Sequence, residues 1–297
     1  MKRLGEVVSL TTYDGEELHL AGQYTLWGPG NLGAPPVTYD TRRAYGQHGS
    51  SVANYRLNER VLSMRLRRDP ALTRSEYWSN RLAIHNILRP NRGGPLTLTL
   101  YTADGNQRAL LVRPDPGLEL PQTDANDGAI DDTLQFIAHD PIWFDPEVIS
   151  ITPTTAAIGL VFPLVFPIVF GSLGLSLSTS TITYNGTWRT YPTLTMTGPF
   201  SKTTLYCKGT KATIVLLANV TAGQQRIITL ATGALSVVDQ TGANRFTDLA
   251  PTSDLTNFYL APVAELSDTQ EVTARLTDGE SGISGFSITY NERFYAI

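Results

Sequence analysis

The stretch LTLTLYTADGNQRALLV, residues 96–112, shows the pattern that governs this chain. Two runs of alternating apolar and polar residues flank Asp104-Gly105. Alternation sends successive side chains to opposite faces of a strand, and Asp-Gly between two such runs predicts a tight hairpin because glycine accepts a positive φ. The pattern recurs around Asp14-Gly15. The first half of the chain is therefore predicted to be mainly β.

A further strand is predicted between these hairpins. It carries Leu62 and Met64 on one side and Arg65 and Arg67 on the other, which predicts a half-buried strand with a cationic outer face. Nine arginines stand against three acidic residues over 56–92. Two interpretations remain open: a charged sheet and helix surface, or a surface for an acidic partner or DNA. Few aromatic residues are interleaved, so the base-stacking pattern of single-strand binding is absent.

One helix is predicted over residues 73–88. Thr73 and Glu76 form a capping box, in which the hydroxyl accepts from one backbone N–H and the carboxylate reaches back to another. Pro90 then stops the helix. Its apolar stripe is formed by Tyr77, Ile84 and Leu88 and is widened by Ala83 and Ile87.

Residues 114–132 hold three prolines and six acidic residues, which predicts an exposed loop. Four of its aspartates offer oxygen ligands for calcium, but their spacing does not fit an EF-hand loop, and a solvated loop is favoured. These aspartates are Asp124, Asp127, Asp131 and Asp132.

A strongly apolar segment occupies residues 158–170. Its 13 residues fall short of the roughly 20 that cross a bilayer, and its two prolines interrupt any helix, so the segment is predicted to be an extended connector. Its phenylalanines, Phe162, Phe166 and Phe170, make it too apolar for a free linker. It is predicted to lie against a domain or a neighbouring subunit.

The connector separates two predicted domains. Residues 1–150 form a β-sandwich or barrel-like domain with one α-helix, 151–171 the connector, and 172–297 a β-sandwich. The last part alternates in eight or nine short runs separated by turn glycines, as β-sandwiches do. The predicted strands include 193–197, 225–229, 257–260 and 286–295.

No local motif for catalysis or metal binding is found. There is no Gly-x-Ser-x-Gly elbow, and the four histidines are scattered without a metal-ligand spacing. The single cysteine, Cys207, lies in a strand-like run and is predicted to be a buried small hydrophobic residue. The chain is predicted to be non-enzymatic, with no cofactor.

Five motifs occur in an order that resembles the distal tail protein family of siphophages, the phage tail component proteins. The resemblance spans most of the chain and includes no additional carbohydrate-binding insertion, which argues against direct host recognition by this chain. The motifs are the helix and hairpin at 73–90 and 96–112, the aromatic phrase at 136–144, the Phe-Pro connector, the stretch 184–199 and the ending Arg293-Phe294-Tyr295.

The resemblance implies a structural virion protein at the distal end of the phage tail, assembled in the host cytoplasm. Such a protein forms a ring, usually a hexamer, that joins the tail tube protein to the tail hub, tip or baseplate, while DNA passes through the lumen without specific binding. It has no membrane partner. The resemblance also implies a galectin-like or carbohydrate-binding-module-like second domain. The predicted interface residues are Phe162, Phe166, Phe170, Arg65, Arg67, Trp143 and Phe144.

Two other functions compete with this interpretation. In the first, the second domain binds host carbohydrate through aromatic rings that stack on sugars, although core or interface roles are favoured for them. In the second, the chain is a glycosidase or peptidoglycan hydrolase, for which no acid–base or metal motif is present. The aromatic candidates are Trp188, Tyr191, Phe258 and Tyr259.

Overall fold

The computed structural model describes residues 8–19, 24–68, 73–90, 93–101, 105–115, 131–153, 175–279 and 283–297. The chain divides into two compact units. The first comprises Met1–Pro146 and Phe294–Ile297, and the second comprises Glu147–Arg293. The second unit is therefore inserted between two parts of the first. The sequence instead predicted two consecutive domains, 1–150 and 172–297. The predicted connector at 151–171 lies outside the described residues, apart from its first three.

The first unit is built on one continuous run of antiparallel strands. Seven strands follow the order β2-β1-β7-β8-β9-β6-β3, and β4 and β5 form a separate two-stranded sheet. Its elements are β1 (Val8–Thr11), β2 (Glu17–His19), β3 (Tyr24–Gly30), β4 (Val37–Arg42), β5 (Ser51–Leu57), β6 (Arg60–Arg68), α1 (Arg74–Ile87), β7 (Leu96–Tyr101), β8 (Gln107–Pro114), β9 (Asp131–Ala138) and β10 (Trp143–Phe144).

Both predicted hairpins of the first unit are confirmed. β1 pairs with β2, and β7 pairs with β8 from Leu96 opposite Val112 to Tyr101 opposite Gln107. Gly105 has a φ of 87°, which a residue with a Cβ atom rarely adopts. The turn therefore forms where the Asp-Gly pair predicts it.

Helix α1 is also confirmed, with the predicted capping box. The Glu76 backbone N–H donates to the Thr73 hydroxyl, and the Thr73 backbone N–H donates to the Glu76 carboxylate over 2.8 Å. Ile84 and Ile87, with the capping residue Leu88, are buried, so each stabilises the fold by about 2 kcal/mol. Ala83 is exposed, contrary to the prediction, because it lies off the face that the other three share.

The core of the first unit joins helix, sheet and the last residues of the chain. Leu10, Leu62, Leu98 and Phe136 are completely buried in it. Phe294, which follows the whole of the second unit in sequence, belongs to the same cluster. Because side chains alternate along β6 and β7, one face of each strand points into this core.

One arginine touches the chain on both sides of the insertion. The Arg108 guanidinium lies 3.3 Å from the Asp145 carboxylate and 3.7 Å from the centre of the Phe294 ring. Asp145 is the last residue but one before the chain leaves the first unit, and Phe294 is the first after it returns. The two crossing points are thus held by a single side chain of the first unit.

The second unit is a two-sheet β-sandwich. Its five-stranded sheet has the order β11-β19-β13-β16-β17 and its four-stranded sheet the order β12-β18-β14-β15. Two 3-10 helices, Phe246–Asp248 and Val263–Glu265, lie between strands. Its strands are β11 (Ile149–Ile151), β12 (Leu175–Thr181), β13 (Thr193–Thr197), β14 (Phe200–Cys207), β15 (Ala212–Val220), β16 (Gln225–Thr229), β17 (Ser236–Asp239), β18 (Glu271–Thr277) and β19 (Gly285–Tyr290), and β20 (Arg293–Phe294) spans the boundary back to the first unit.

The sandwich core follows from strict alternation in both sheets. In β13 and β16 every second residue is buried, including Leu194, Met196 and Ile228, and these face the buried positions of the other sheet, such as Leu205 and Cys207. Cys207 is completely buried. The interpretation of Cys207 as a core residue is therefore confirmed.

The stretch 184–199 packs closely against Arg293 at its beginning. The Tyr184 hydroxyl donates to the Trp188 carbonyl and accepts from the Arg293 backbone N–H over 3.0 Å, and burial raises the pKa of Tyr184. A Cβ atom at Gly186 would collide with the Tyr184 ring and with the Arg293 carbonyl. Glycine is therefore required at this position by the close approach of two segments.

The predicted fold class, mainly β with one helix in the first domain and a sandwich in the second, is confirmed. Three local predictions differ from the structure. Asp131 and Asp132 belong to β9 and not to a loop, because they pair with Arg67 and Leu66. The predicted strand at 257–260 is reduced to one bridge between Thr190 and Leu260. The predicted strand at 286–295 is divided into β19 and β20.

Candidate assembly surface

The candidate functional site is the hairpin of β4 and β5, residues 36–58, which we name the arm. Its strands pair only with each other in the described structure, from Val37 opposite Leu57 to Arg42 opposite Ser51. The Asn58 backbone N–H donates to the Pro36 carbonyl over 2.8 Å and closes its base. All its residues are exposed except Val37, Gln47 and Leu57, which are half-buried.

The two faces of the arm differ in chemistry. One face carries Val37 opposite Leu57 and, next along the strands, Tyr39 opposite Tyr55. These tyrosines are 59% and 50% exposed, and Val52 nearer the tip is 60% exposed. The opposite face carries polar side chains, namely Thr38, Asp40, Asn54 and Arg56. The arm therefore has the amphipathic alternation of a half-buried hairpin.

Within the described residues, nothing pairs with the arm, and its apolar face is exposed. An isolated two-stranded hairpin is at best marginally stable in water, and a third strand or a packed surface is needed to hold it. Contiguous exposed apolar residues on a folded protein mark a surface that binds a partner. Both outer edges of the arm also leave backbone groups open to further pairing. The arm is therefore a candidate surface for binding a partner.

The arm is basic, whereas the chain is acidic. Within it, three arginines, Arg42, Arg43 and Arg56, stand against Asp40 as its one carboxylate, while the chain has a formal net charge of -4. Opposite potentials on two surfaces speed their encounter and favour the right partner over others. The arm therefore fits an acidic protein surface.

The base of the arm is anchored to the body of the first unit. On the incoming side, Asn31 has a φ of 68°, and its side-chain amide donates to the Val61 carbonyl over 2.8 Å. On the outgoing side, the Glu59 carboxylate and the His139 ring approach to 2.8 Å. Arg60 begins β6 immediately afterwards and is 1% exposed. The arm thus emerges from an ordered base.

The predicted interface residues fall into three groups. Phe162, Phe166 and Phe170 lie outside the described residues, so their predicted role stays a prediction. Arg65 and Arg67 lie on β6 and pair with β3 and β9 through the backbone, and the described part of the structure does not include their side chains.

The third group is the aromatic pair of β10. Trp143 is completely buried in the core of the first unit, with the Arg60 guanidinium 5.5 Å from its ring centre, and Phe144 is half-buried. An interface role for either residue stays a prediction.

The aromatic candidates for sugar binding differ in their surroundings. Phe258 is completely buried in the sandwich core. Tyr191 packs against that core and meets the Tyr259 ring edge-on at 6.0 Å. The Arg189 guanidinium lies 5.7 Å from the Tyr259 ring centre and 5.9 Å from that of Trp188. Each of these rings therefore packs against other side chains of the protein.

The described ranges contain neither a metal-binding cluster nor a membrane-spanning helix. No cluster of three or more His, Cys, Asp or Glu side chains that could hold a metal ion occurs there. None of the helices described is long and apolar enough to span a membrane. Asp124 and Asp127, two of the four calcium candidates, lie outside those ranges.

The fold and the arm define a class: a two-unit, mainly β protein with an uncovered amphipathic hairpin. Comparison with known proteins gives matches in structure but not in sequence. No protein-family model matches the chain, and no curated protein matches its sequence.

Several solved structures share the fold. The Dit protein of phage SPP1 matches with a TM-score of 0.66 at 14% identity, over 97% of this chain and 100% of that protein. Chains of the phage p2 baseplate in its activated conformation, with Sr and with Ca, match with TM-scores of 0.53 and 0.50 at 11% and 12% identity, over 96% of this chain and 97% of theirs. The predicted resemblance to phage distal tail proteins is thus confirmed at the level of the fold.

The arm itself is not among the predicted interface residues. Its signal in the sequence is alternation, with Val37, Tyr39 and Thr41 on one strand and Tyr55 and Leu57 on the other. That signal predicts a hairpin but not its exposure. Coverage depends on which elements pack above the hairpin, and local spacing carries no information on that.

Proposed function

We propose that the protein is a structural component of the virion of a long-tailed phage. In this proposal it forms a ring at the distal end of the tail tube and joins the tube to the tail-tip or baseplate hub. The observation that carries the proposal is the exposed apolar face of the arm, which no other described strand covers. Support comes from the fold shared with SPP1 Dit, a protein described as a paradigm of the hub adsorption apparatus in phages that infect Gram-positive bacteria.

The partner that we propose for the arm is a second copy of the same chain. A basic arm on an acidic chain favours docking onto a neighbour of its own kind. The arm and its acceptor patch are different surfaces, so the contact is heterologous, and heterologous contacts close into a ring when the rotation between copies permits. We propose a hexamer.

The ring accounts for the proposed partners. One face of it meets the tail tube protein and the other meets the tail hub. The net negative charge of the chain disfavours binding to DNA phosphates, so in this proposal the genome passes through the lumen without specific binding. In this role the chain joins the tail tube to the hub and carries out no reaction.

The test is electron microscopy of the purified chain with light scattering, with and without tail tube protein. We expect rings and a mass well above that of a trimer. The double variant Tyr39→Ser/Tyr55→Ser is expected to remain monomeric, because it removes the facing pair of exposed rings. Tyr13→Ser is the matched control, since Tyr13 is a 76% exposed tyrosine of the same unit outside the arm. A wild-type chain that stays monomeric and ringless even with tube protein would refute the proposal.

A further inference from the structure

Arg60 joins three segments at the base of the arm. Its Nη1 donates to the carbonyls of Asn31 over 2.8 Å and Gly33 over 2.5 Å, both on the chain that leads into the arm. Its Nε donates to the Pro141 carbonyl over 3.1 Å, and its Nη2 donates to the Tyr295 carbonyl over 3.3 Å. One side chain therefore holds the arm's base, the turn before β10, and the segment Phe294–Ile297, which we name the return segment.

These hydrogen bonds of Arg60 all go to the backbone. The guanidinium is buried, and the four acceptors recorded for it are all backbone carbonyls; burial lowers the pKa of Arg60. A buried cation must have its N–H groups satisfied, since each one left without an acceptor is costly. Arginine presents five N–H groups in a rigid plane, and four of them are used here. The acceptors are thus linked through one shared donor.

The return segment also reaches the arm's base directly. The Ile297 backbone N–H lies 3.5 Å from the carbonyl of Leu32, between the two carbonyls that Arg60 holds. Leu32 itself packs against the core cluster that contains Phe294. Residues far apart in sequence, at 31–33 and 295–297, therefore form one local arrangement.

We propose that Arg60 is the positioning residue of the arm: it fixes the arm's direction by tying its base to the return segment. The inference rests on the proposed function only for the arm's role in assembly. If the return segment is displaced, Arg60 loses an acceptor and the base of the arm loosens with it. The arm is then free to take directions in which its apolar face does not meet a neighbour.

The test compares amide hydrogen exchange in the arm and in the β7–β8 hairpin. Arg60→Lys keeps the charge but cannot reach four carbonyls, because lysine is a point donor on a flexible stem. We expect the arm's base amides, such as Asn58 N–H, to exchange about tenfold faster, while β7–β8 amides change less than about twofold. Arg56→Lys, on the exposed polar face of the arm, is the matched control and is expected to change neither.

A second variant tests the link to the return segment. A chain ending at Phe294 keeps the core ring and removes residues 295–297. It is expected to loosen the arm to a similar extent, and adding Arg60→Lys to it is expected to have little further effect, because both changes break the same network. Additive effects would overturn the proposal. Equal acceleration in β7–β8 would also overturn it, since Arg60 would then only stabilise the core.

These measurements separate the inference from the proposed function. Exchange is recorded on the monomer, so a wild-type chain that forms no ring leaves the result on Arg60 intact. If the wild type does form rings, Arg60→Lys is expected to shift the assembly midpoint to about tenfold higher protein concentration, in proportion to the loosened arm. Unchanged assembly together with a loosened arm would refute the positioning role.

Discussion

The arm and the β7–β8 hairpin share one sequence pattern but differ in burial. Both alternate apolar and polar residues on two short strands. In β7 the inward residues Leu96, Leu98 and Leu100 are buried beside helix α1, whereas in β4 the corresponding Tyr39 is 59% exposed. The difference lies in what covers each hairpin. Alternation specifies that a face is to be buried, and the rest of the molecule decides whether this chain or another one buries it.

The largest expected effect is on core side chains. Leu98→Ala is expected to destabilise the first unit by about 3 kcal/mol, because it leaves a cavity at a completely buried site. Val52→Ala on the arm is expected to change its stability by less than about 0.5 kcal/mol. Pulse proteolysis in urea, with fragments assigned to the first unit, measures both. Equal losses would mean that the arm belongs to the core.

Assembly is expected to remove the difference between the hairpins. In the ring, backbone amides of β4 and β5 are expected to exchange at least about tenfold more slowly than in the monomer, since a neighbour then covers them. Amides of β7 and β8 are expected to be unchanged, because they are protected already. Hydrogen exchange with mass spectrometry above and below the assembly midpoint gives the comparison. Unaltered arm exchange in the ring would show that assembly uses another surface.

The turns of the two hairpins provide a smaller contrast. Gly105 and Gly49 have φ values of 87° and 80°, so alanine is strained at either position. Gly105→Ala is expected to cost about 1 kcal/mol in unfolding of the first unit, since its turn folds together with the core. Gly49→Ala at the arm's tip is expected to leave that unfolding unchanged. A cost at Gly49 equal to that at Gly105 would contradict the independence of the arm. Urea titration of both variants provides the test.

The smallest effect concerns the helix that shares the core with β7. The hydrogen bond from the Thr73 backbone N–H holds the pKa of the Glu76 carboxyl below its ordinary value of 4.5. Because the folded pKa is the lower one, this stabilisation is complete above pH 4.5 and is lost as the pH falls through the folded value. We expect faster exchange of the first-turn amides of α1 on acidification. The variant Glu76→Gln, which cannot titrate, is expected to lose that dependence. Persistence of the dependence in this variant would assign it to another group.

Local features of the fold were predictable from the sequence. The capping box at Thr73 and Glu76 and the turn at Gly105 depend on residues a few positions apart. Strands 193–197 and 225–229 were also predicted with the bounds that the structure shows. In each case the determining interactions are short in range or repeat with the period of a strand.

Non-local features were not predictable in this way. Arg60 is one of nine arginines in a stretch interpreted as charged surface, yet it is buried, because its acceptors at Asn31 and Tyr295 come from distant parts of the chain. The return of Phe294 to the first unit is equally invisible to periodicity. The arm was missed as a site because its exposure is a property of the assembled fold.

The contacts of Arg108 make the second unit an exchangeable cassette. Because one side chain touches both Asp145 and Phe294, the two ends of the insert leave and rejoin the first unit at a common point. Insertions with neighbouring termini are tolerated well, since they interrupt the host chain at a single place on its surface. We therefore expect that residues 147–293 can be replaced by another domain with close termini, while the arm, its Arg60 anchor and the core of the first unit are retained.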